Sequence, residues 1–398
     1  MYNKIKTTAK KTYPIKQVWS LLQKWNHGDK IIYNVNRESN VRNKKRALLS
    51  YLTYPFLMES NSPEFYHHQN KWCNIAIAKI LGELGYIVDV IDWTDFQSKI
   101  SHKYNLLIGF GRAEELAKEM PSDTLKIRLS TGSEAYFANR RETQRLAEIE
   151  AKRGCKIGNV RQSPDRAEYL KYFDGIACLG NEAIAGTYRP YFDKKILCWD
   201  NHGFDRFSSI PDQKNFNLAR NNFLFLSGSG FVLVGLDLVL EVFSNLPELN
   251  LFVCGNFAAE NDFIQCYEKE LFRTPNIFPI GWTQYGGYQY NWLMRKCSTI
   301  IFPICAGASP GSVTAAMGFG IIPMVAKEAG IDTEDYGFTL THNDSKTLSD
   351  TVKWISSQSE EWHKQMSQRV YAVYQAKYSQ QAFLRRFKEI LVEFINSK

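Results

Sequence analysis

Short apolar runs in the first half of the chain alternate with segments of helical periodicity. The runs have the length of buried strands and cover residues 46–53, 86–93, 104–111, 126–130, 173–180 and 195–199. Apolar residues recur with a period of about 3.6 over residues 69–84, and Gly85 is a suitable C-terminal stop. A charged helix is predicted at 134–153, ending at Gly154. Strands that alternate with helices at this spacing predict a parallel sheet with helices on both faces.

The same pattern starts again after a polar, loop-like segment at residues 205–221. The second series of apolar runs covers residues 222–227, 249–255, 276–281, 298–303 and 321–326. Residues 379–398 form an amphipathic helix whose apolar face needs a surface, which we expect on the first half. We therefore predict an α/β protein with two Rossmann-like, doubly wound parallel-sheet lobes that face a cleft. The N-terminal lobe comprises residues 46–210 plus the C-terminal helix 379–398, and the C-terminal lobe comprises residues 216–378.

Positive charge is concentrated at the N-terminus. Residues 1–46 hold 12 Lys and Arg against Asp29 and Glu38, a net charge of +10, whereas the whole chain carries +8. The basic arm, residues 1–45, therefore favours an anionic partner. Apolar residues from Ile15 to Trp25 recur at helical spacing, which fits a helix on an anionic membrane and equally a helix packed on the body of the protein. Nucleic acid is a weaker fit, because the sequence has no recognisable nucleic-acid-binding module.

The cysteines and the apolar segments bear on the cellular compartment. The eight cysteines include no C-x-x-C pair and no regular spacing, which predicts buried thiols in a reducing compartment. The N-terminus lacks the apolar core of a signal peptide, and the most apolar stretch is too short to span a bilayer. We expect a cytoplasmic protein, with peripheral contact to the inner face of the membrane as an option that the basic arm leaves open.

Two loops in the second half have the composition of an anion site. Gly228-Ser229-Gly230 and Cys305–Ser312 each follow an apolar run. Doubly wound sheets bind ligands at the carboxyl ends of their strands, where helix N-termini offer free N–H groups. In the second loop, Ser309-Pro310 suit an N-cap and a first helical position, so the N–H groups of Gly311-Ser312 are expected to be free. A tight turn without a ligand is the alternative for each loop.

Both loops lie in segments with a characteristic order of elements. FLFLSGSGFVLVGLDLVLEVFSNLPELNLFVCG (223–255) has a strand, a glycine loop, a long helix, a second strand and a glycine. STIIFPICAGASPGSVTAAMGFGIIPMVAKEAGID (298–332) follows it along the chain. This order resembles the donor domain of family-4-type glycosyltransferases. RALLSYLTYPF, ELGYIVDVIDW and LGNEAIAGTY in the first half look like the acceptor lobe of bacterial surface-polysaccharide glycosyltransferases, so the resemblance covers residues 46–395.

The resemblance implies a GT-B fold and a reaction. The reaction is transfer of a sugar, with retention of configuration, from a nucleotide-diphosphate donor on the C-terminal lobe to a glycan or lipid-linked acceptor in surface polysaccharide synthesis. The nucleotide sugar is a co-substrate of unknown base, and no cofactor is expected. No metal site is expected either, because the chain contains no Asp-x-Asp, the pair through which the other main glycosyltransferase fold holds a metal.

Three residues that contact the donor in the resembled family are replaced here. Val234 stands in place of the lysine that neutralises the diphosphate, and Gly307 and Ala315 stand in place of two glutamates that contact the sugar and the ribose. Helix dipoles, backbone N–H groups or another cation must then neutralise the negative charge of the diphosphate. The candidates for that cation are Arg295, Lys296 and Lys327. The candidate donor-binding residues are Gly228, Ser229, Gly230, Gly281, Trp282, Gly307, Ala308, Ser309, Gly311, Ser312 and Lys327.

Catalytic candidates lie on both sides of the expected cleft. His67 and His68 sit on the loop after the first strand, where a histidine can take the proton of an acceptor hydroxyl. An exposed loop histidine is the alternative. Glu328 follows the run 321–326 and is expected to face the cleft.

The leading interpretation is an active transferase. A catalytically degenerate GT-B protein, which binds a sugar, a nucleotide or a partner without turnover, is the alternative that the three replaced residues favour. A nicotinamide-dependent oxidoreductase is disfavoured, because the glycine loop does not have the G-x-G-x-x-G pattern.

Overall fold

The computed structural model describes residues 31–36, 45–59, 62–158, 161–210 and 214–398. The helix expected between Ile15 and Trp25, and with it most of the basic arm, lies outside these residues. Within them, no helix combines the length and the apolar character needed to cross a membrane.

Two sheets form the framework of the described chain. The first contains β1 (Ile31–Ile32), β2 (Lys45–Tyr51), β3 (Tyr86–Asp92), β4 (Leu106–Gly109), β5 (Leu125–Ser130), β6 (Gly175–Leu179) and β7 (Lys195–Trp199). Its strands lie in the order β1-β3-β2-β4-β5-β6-β7, and every pair is parallel except β1 with β3.

The second sheet contains β8 (Asn222–Leu226), β9 (Asn250–Cys254), β10 (Ile277–Pro279), β11 (Thr299–Phe302), β12 (Ile322–Ala326) and β13 (Phe338–Leu340). These strands lie in the order β10-β9-β8-β11-β12-β13 and are parallel throughout. The predicted fold class of two Rossmann-like, doubly wound lobes is confirmed.

Helices connect the strands of both sheets. In the N-terminal lobe they are α1 (Gln69–Glu83), α2 (Arg112–Glu119), α3 (Ala135–Arg153) and α4 (Glu182–Tyr188). In the second half they are α5 (Phe216–Ala219), α6 (Leu236–Phe243), α7 (Asn261–Cys266), α8 (Glu268–Arg273), α9 (Tyr288–Lys296), α10 (Gly311–Met317), α11 (Ser345–Ser357), α12 (Glu360–Val373) and α13 (Gln380–Asn396).

Strand β2 shows why the first sheet is covered on both faces. Its residues Ala47 and Leu49 join a core with α1 and α13, whereas Leu48 joins a second core with α2 and α4. Successive side chains of a strand point to opposite faces, so a run of consecutive apolar residues needs a cover on each side.

Each lobe contributes a helix to the other. Phe383, Phe387 and Leu391 of α13 lie in the core of the N-terminal lobe, although the chain reaches this helix from the C-terminal lobe. In the opposite direction, Ile149 of α3 lies in the core of the C-terminal lobe. The two exchanged helices fix how the lobes face each other.

Two cysteines depart from the prediction that all eight are thiols. Cys155, just after α3, and Cys266, at the end of α7, form a disulfide with their Cα atoms 5.9 Å apart. The other six cysteines are free, and most of them are buried. The paired residues are 111 positions apart, so no spacing in the sequence marks the bond. The pair instead results from the packing of α3 on the C-terminal lobe.

Candidate functional site

A cleft of about 610 Å³ lies between the lobes, where strands of both sheets end. It is lined by segments that follow β2, β3, β4 and β5 in the N-terminal lobe, and β8, β10 and β11 in the C-terminal lobe. Of the sequence-predicted site residues, it is lined by His67, His68, Gly228, Trp282, Gly307, Ala308, Ser309, Gly311 and Ser312. Ligands of doubly wound sheets bind at this edge, so the cleft is the candidate binding site.

The loop Cys305–Ser312 extends from the C-terminal lobe to the N-terminal lobe. Four side chains of the N-terminal lobe donate hydrogen bonds to four alternate carbonyl oxygens of the loop. The bonds run from Arg141 Nε to Cys305 (3.3 Å), Ser133 Oγ to Gly307 (2.7 Å), Asn201 Nδ2 to Ser309 (2.8 Å) and Gln69 Nε2 to Gly311 (2.8 Å). Because every second carbonyl is held in this way, the N-terminal lobe fixes the path of the loop along the cleft.

Ser309 is not the N-cap that the sequence predicts. Its hydroxyl accepts a hydrogen bond from the backbone N–H of Asn201 (3.1 Å) and is therefore not available to the helix. Helix α10 begins at Gly311, with Pro310 as its N-cap. No acceptor within the described residues meets the N–H groups of Gly311 and Ser312, and both residues line the cleft. The loop thus offers backbone donors at the place where the sequence predicts them.

The glycine loop at 228–230 reaches the cleft through Gly228 alone. Gly228 is exposed beside Trp282, whereas Gly230 is buried. The N–H groups of Gly230 and Phe231 both bond to the carboxylate of Glu260, the latter at 2.9 Å. Burial raises the pKa of Glu260, and the two N–H groups oppose this shift. In contrast to the prediction, the N–H of Gly230 is therefore not free for a phosphate.

The two histidines after β2 differ in their surroundings. The ring of His67 meets that of Trp282 from the other lobe edge to face, with centroids 6.5 Å apart. His68 is the N-cap of α1, and its Nδ1 accepts the N–H of Asn70 (3.2 Å). His68 is exposed at the cleft, and the surrounding protein atoms and the charge of Arg161 both lower its pKa. Because Nδ1 accepts the N–H of Asn70, the neutral ring carries its proton on Nε2 and can donate a hydrogen bond there. The role of His68 as a base stays a prediction.

Every charged side chain that lines the cleft within the described chain belongs to the N-terminal lobe. These side chains are Glu114, Arg128, Glu134, Arg161 and Arg166. Arg128 and Arg166 both pair with the buried Glu114, at 2.9 and 3.3 Å. The facing part of the C-terminal lobe carries glycine, alanine, serine, threonine, proline, aliphatic and aromatic residues. No group of three or more His, Cys, Asp or Glu among the described residues is placed to hold a metal ion.

Several candidates lie away from this cleft. Lys327 and Glu328 line a neighbouring cavity of about 420 Å³. Glu328 does not face the main cleft as expected, because a 3-10 turn follows β12 and the carboxylate pairs with Arg141 (3.4 Å). Arg295 and Lys296 lie at the exposed end of α9 and do not line the cleft. The other candidates that do not line it are Ser229, Gly230 and Gly281.

Ion pairs join α3 to the C-terminal lobe. Arg145 pairs with Asp237 (2.6 Å), and Arg153 pairs with Glu270 (2.7 Å). Asp237 is 1% exposed, and burial raises its pKa to about 6 although Arg145 opposes the shift. Asp237 belongs to the segment 223–255, which resembles the donor domain of family-4-type glycosyltransferases. In this chain it holds the two lobes together.

Sequence reasoning missed Gln69, Arg145 and Arg161, each of which lies against the other lobe. Gln69 and Gly311, for example, are 242 positions apart. No local pattern reveals such a pair. The one local signal is position, since Gln69 directly follows His68 and Arg161 lies in the polar segment after α3.

Proteins similar to this chain are found by structure and not by sequence. No protein-family model matches the chain, and no curated protein matches it by sequence. Sucrose-phosphate synthase from Thermosynechococcus elongatus matches it in structure with a TM-score of 0.62 and 10% identity, over 89% of this chain and 100% of that one.

Two further solved structures match over the same shares of both chains. HepE from Anabaena in complex with UDP and glucose has a TM-score of 0.55 at 12% identity. A glycosyltransferase from Rickettsia africae has a TM-score of 0.51 at 14% identity. At such identities the likeness establishes the fold alone: the chain has the GT-B fold, in which two Rossmann-like lobes face a cleft.

Proposed function

We propose that the protein is a glycosyltransferase that moves a sugar from a nucleoside-diphosphate donor to an acceptor hydroxyl in the cleft. The observation that carries the proposal is the loop Cys305–Ser312, which the N-terminal lobe holds at the cleft with the N–H groups of Gly311 and Ser312 free. In the reaction, the acceptor oxygen bonds to the anomeric carbon, and the bond from that carbon to the phosphate oxygen breaks. The nucleoside diphosphate leaves with the electron pair, so its growing negative charge needs N–H groups or cations.

A uridine diphosphate sugar is the first donor to test. Solved structures of the matching HepE hold UDP or UDP-glucose, and this chain shares their fold. Trp282, which is 53% exposed beside Gly228, offers a flat apolar surface for a base or a sugar. Neither a metal nor a cofactor enters the proposed reaction.

The acceptor is proposed to bind on the N-terminal side of the cleft, where Trp93 and Phe110 pack with ring centroids 5.3 Å apart. The family resemblance favours a glycan or a lipid-linked sugar in surface polysaccharide synthesis, with retention of configuration. His67 is the first candidate base and His68 the second, because Nδ1 of His68 already accepts the N–H of Asn70. The basic arm is proposed to bring the enzyme to the anionic inner face of the membrane from the cytoplasm.

A second candidate is a GT-B protein that binds a sugar, a nucleotide or a partner without turnover. It is favoured by the C-terminal wall of the cleft, where Val234 and Gly307 replace charged residues and no charged side chain of the same lobe compensates within the described chain. Ala315, the third replacement, is 3% exposed and does not line the cleft.

Binding and turnover separate the two candidates. Thermal unfolding is measured with UDP, GDP, ADP, CDP and TDP and with their sugars, since a ligand at 100 times its dissociation constant stabilises by about 2.7 kcal/mol. The sugar nucleotide that binds is then incubated with lipid-linked and free glycans, and release of nucleoside diphosphate is followed. Release that depends on the acceptor supports the transferase, and binding without release supports the second candidate. Absence of stabilisation by all of these compounds contradicts the transferase.

A further inference from the structure

The diphosphate of the proposed donor carries negative charge that cations must meet inside the cleft. The C-terminal wall supplies none, and the described N-terminal wall supplies Arg128, Arg161 and Arg166. Arg128 and Arg166 share the carboxylate of Glu114, at 2.9 and 3.3 Å. Arg161 forms no ion pair or hydrogen bond with any residue that the structure describes. It is therefore the cation that remains available to a ligand.

The side chain of Arg161 lies where the two lobes meet. It belongs to the segment after α3, yet it packs on the glycine loop of the other lobe. A Cβ atom placed on Gly230 would lie 2.7 Å from Arg161 Cδ and 3.2 Å from Arg161 Nε. The absence of a side chain at Gly230 thus makes room for the arginine. The charge of Arg161 acts on both His68 and Glu260, which places the guanidinium near the N-cap of α1 as well as near the glycine loop.

We propose that Arg161 binds the diphosphate of the nucleotide donor, in place of the lysine that Val234 replaces. The cation for a ligand of the C-terminal lobe is thus supplied by the N-terminal lobe. The inference rests on the proposed function and adds to it a binding residue on the opposite lobe. A guanidinium suits this role because its planar fork can donate two parallel hydrogen bonds to phosphate oxygens.

The surroundings of Arg161 fit an anion. The charge of Arg161 acts on the nearby carboxylate of Glu260, but this carboxylate forms no ion pair with the guanidinium and instead accepts the N–H groups of Gly230 and Phe231. On the other side, His68 carries its proton on Nε2, because Nδ1 already accepts a backbone N–H. His68 therefore adds a neutral donor beside the cation.

Arg161→Gln tests the proposal, with Lys156→Gln as the matched control. Lys156 is exposed on the same segment, does not line the cleft, and loses the same charge on substitution. Calorimetry measures affinity for the nucleoside diphosphate that stabilises the parent most and for its unphosphorylated nucleoside. We expect Arg161→Gln to weaken diphosphate binding about 10- to 100-fold and to leave nucleoside binding unchanged, since the lost hydrogen bonds are to a charged group. Arg161→Lys, which keeps the charge without the fork, should recover part of the loss.

Three results would overturn the assignment. One is diphosphate binding by Arg161→Gln within about twofold of the parent. Another is an equal loss for the diphosphate and the nucleoside, which would indicate a structural effect, and unfolding curves of both arginine variants check for it. If the parent binds a nucleoside diphosphate and Arg161→Gln binds it equally well, the proposed function stands and only the role of Arg161 falls. The third result is a parent protein that binds no nucleoside diphosphate, and in that case the role of Arg161 and the proposed function both fall.

Discussion

The two walls of the cleft differ in what they offer to a ligand. The C-terminal wall has small and apolar side chains, and its hydrogen-bond donors include the backbone N–H groups of Gly311 and Ser312. The described N-terminal wall carries all the charged side chains, among them Arg128 and Arg161. Backbone groups depend on how the chain folds, whereas a charged side chain can be removed by itself. Substitutions in the C-terminal wall should therefore act mainly on stability and backbone geometry, and substitutions in the N-terminal wall mainly on binding.

The difference also shows that neither lobe can be judged alone. Seen by itself, the C-terminal lobe has no charged side chain at Val234, Gly307 and Ala315, the positions that in the resembled family contact the donor. With the N-terminal lobe in place, the cleft contains cations, and the loop that carries Gly307 is held by side chains of that lobe. The missing lysine and glutamates are therefore a weak argument against nucleotide binding.

The largest expected effect concerns the ion pair that fixes the two walls to each other. Arg145→Met leaves Asp237 buried without its cation, and removal of one partner of a buried pair costs about 3–5 kcal/mol. We expect a loss of this order in the free energy of unfolding, measured by urea denaturation at pH 7. The control is Arg273→Met, which breaks the exposed pair with Glu268 and should cost less than about 1 kcal/mol.

The same pair predicts a dependence on pH. The pKa of Asp237 in the folded protein is about 6, above the value of about 3.9 expected for the unfolded chain. Its contribution to stability is therefore present at low pH and lost as the pH rises through about 6. Without Arg145 the folded pKa rises further, so the deficit of Arg145→Met should be larger at pH 8 than at pH 5. An equal deficit at both values would contradict the assignment of the loss to Asp237.

A smaller loss is expected from the backbone beside the C-terminal wall, directly after Val234. Gly235 has a φ of 83°, and a Cβ placed on it would lie 2.2 Å from the carbonyl oxygen of Pro303. Gly235→Ala forces an alanine into the left-handed conformation, and its Cβ displaces the chain at the end of β11. Together these effects should lower the free energy of unfolding by about 2–4 kcal/mol. Gly281→Ala is the control, because its φ is 85° but nothing lies within 4 Å of the added Cβ. If the two variants lose equal stability in urea, the contact with Pro303 has no role.

The lobes could be predicted from the sequence because they depend on local periodicity. The run predicted at 46–53 is the strand Lys45–Tyr51, and the helix predicted at 134–153 is Ala135–Arg153. Gly154, expected to end this helix, has a φ of 70°, a conformation that glycine adopts without strain. Signals of this kind lie within a few residues of the element that they determine.

The cleft could be located from the sequence, but its contacts could not. Ser309 fails as an N-cap because Asn201, 108 positions away, takes its hydroxyl. The carboxylate of Glu328 lies outside the cleft because it pairs with Arg141, which is 187 positions away in the sequence. Such partners depend on how the two lobes are placed, and this placement rests on many weak contacts that no single segment encodes.

The backbone donors of the C-terminal wall can be tested at Gly311. Gly311→Pro removes one N–H at a position where Pro310 is already extended, as a residue before proline prefers. The new side chain would collide with Gln69, whose amide lies 2.3 Å from the Cβ position. The substitution is therefore made in Gln69→Ala, and that single variant is its control. We expect the double variant to bind the nucleoside diphosphate about tenfold more weakly than Gln69→Ala in calorimetry. Equal affinities would place the phosphates elsewhere.

The smallest expected effect is a change in one pKa on the N-terminal wall, and it checks the position of Arg161 without any ligand. The side chain of His68 is exposed at the cleft, but the surrounding protein atoms reduce the hydration of its ring and lower its pKa, and the charge of Arg161 lowers this pKa further. Arg161→Gln should therefore raise this pKa, because the substitution removes a positive charge near the ring. NMR titration of the histidine rings measures the change, with Lys156→Gln as the charge-matched control. His202, whose pKa burial lowers to about 4, is an internal reference that Arg161 should not affect. If the His68 titration is the same in the parent and in Arg161→Gln, the guanidinium is not beside His68 in solution, and the proposed diphosphate site loses its geometry.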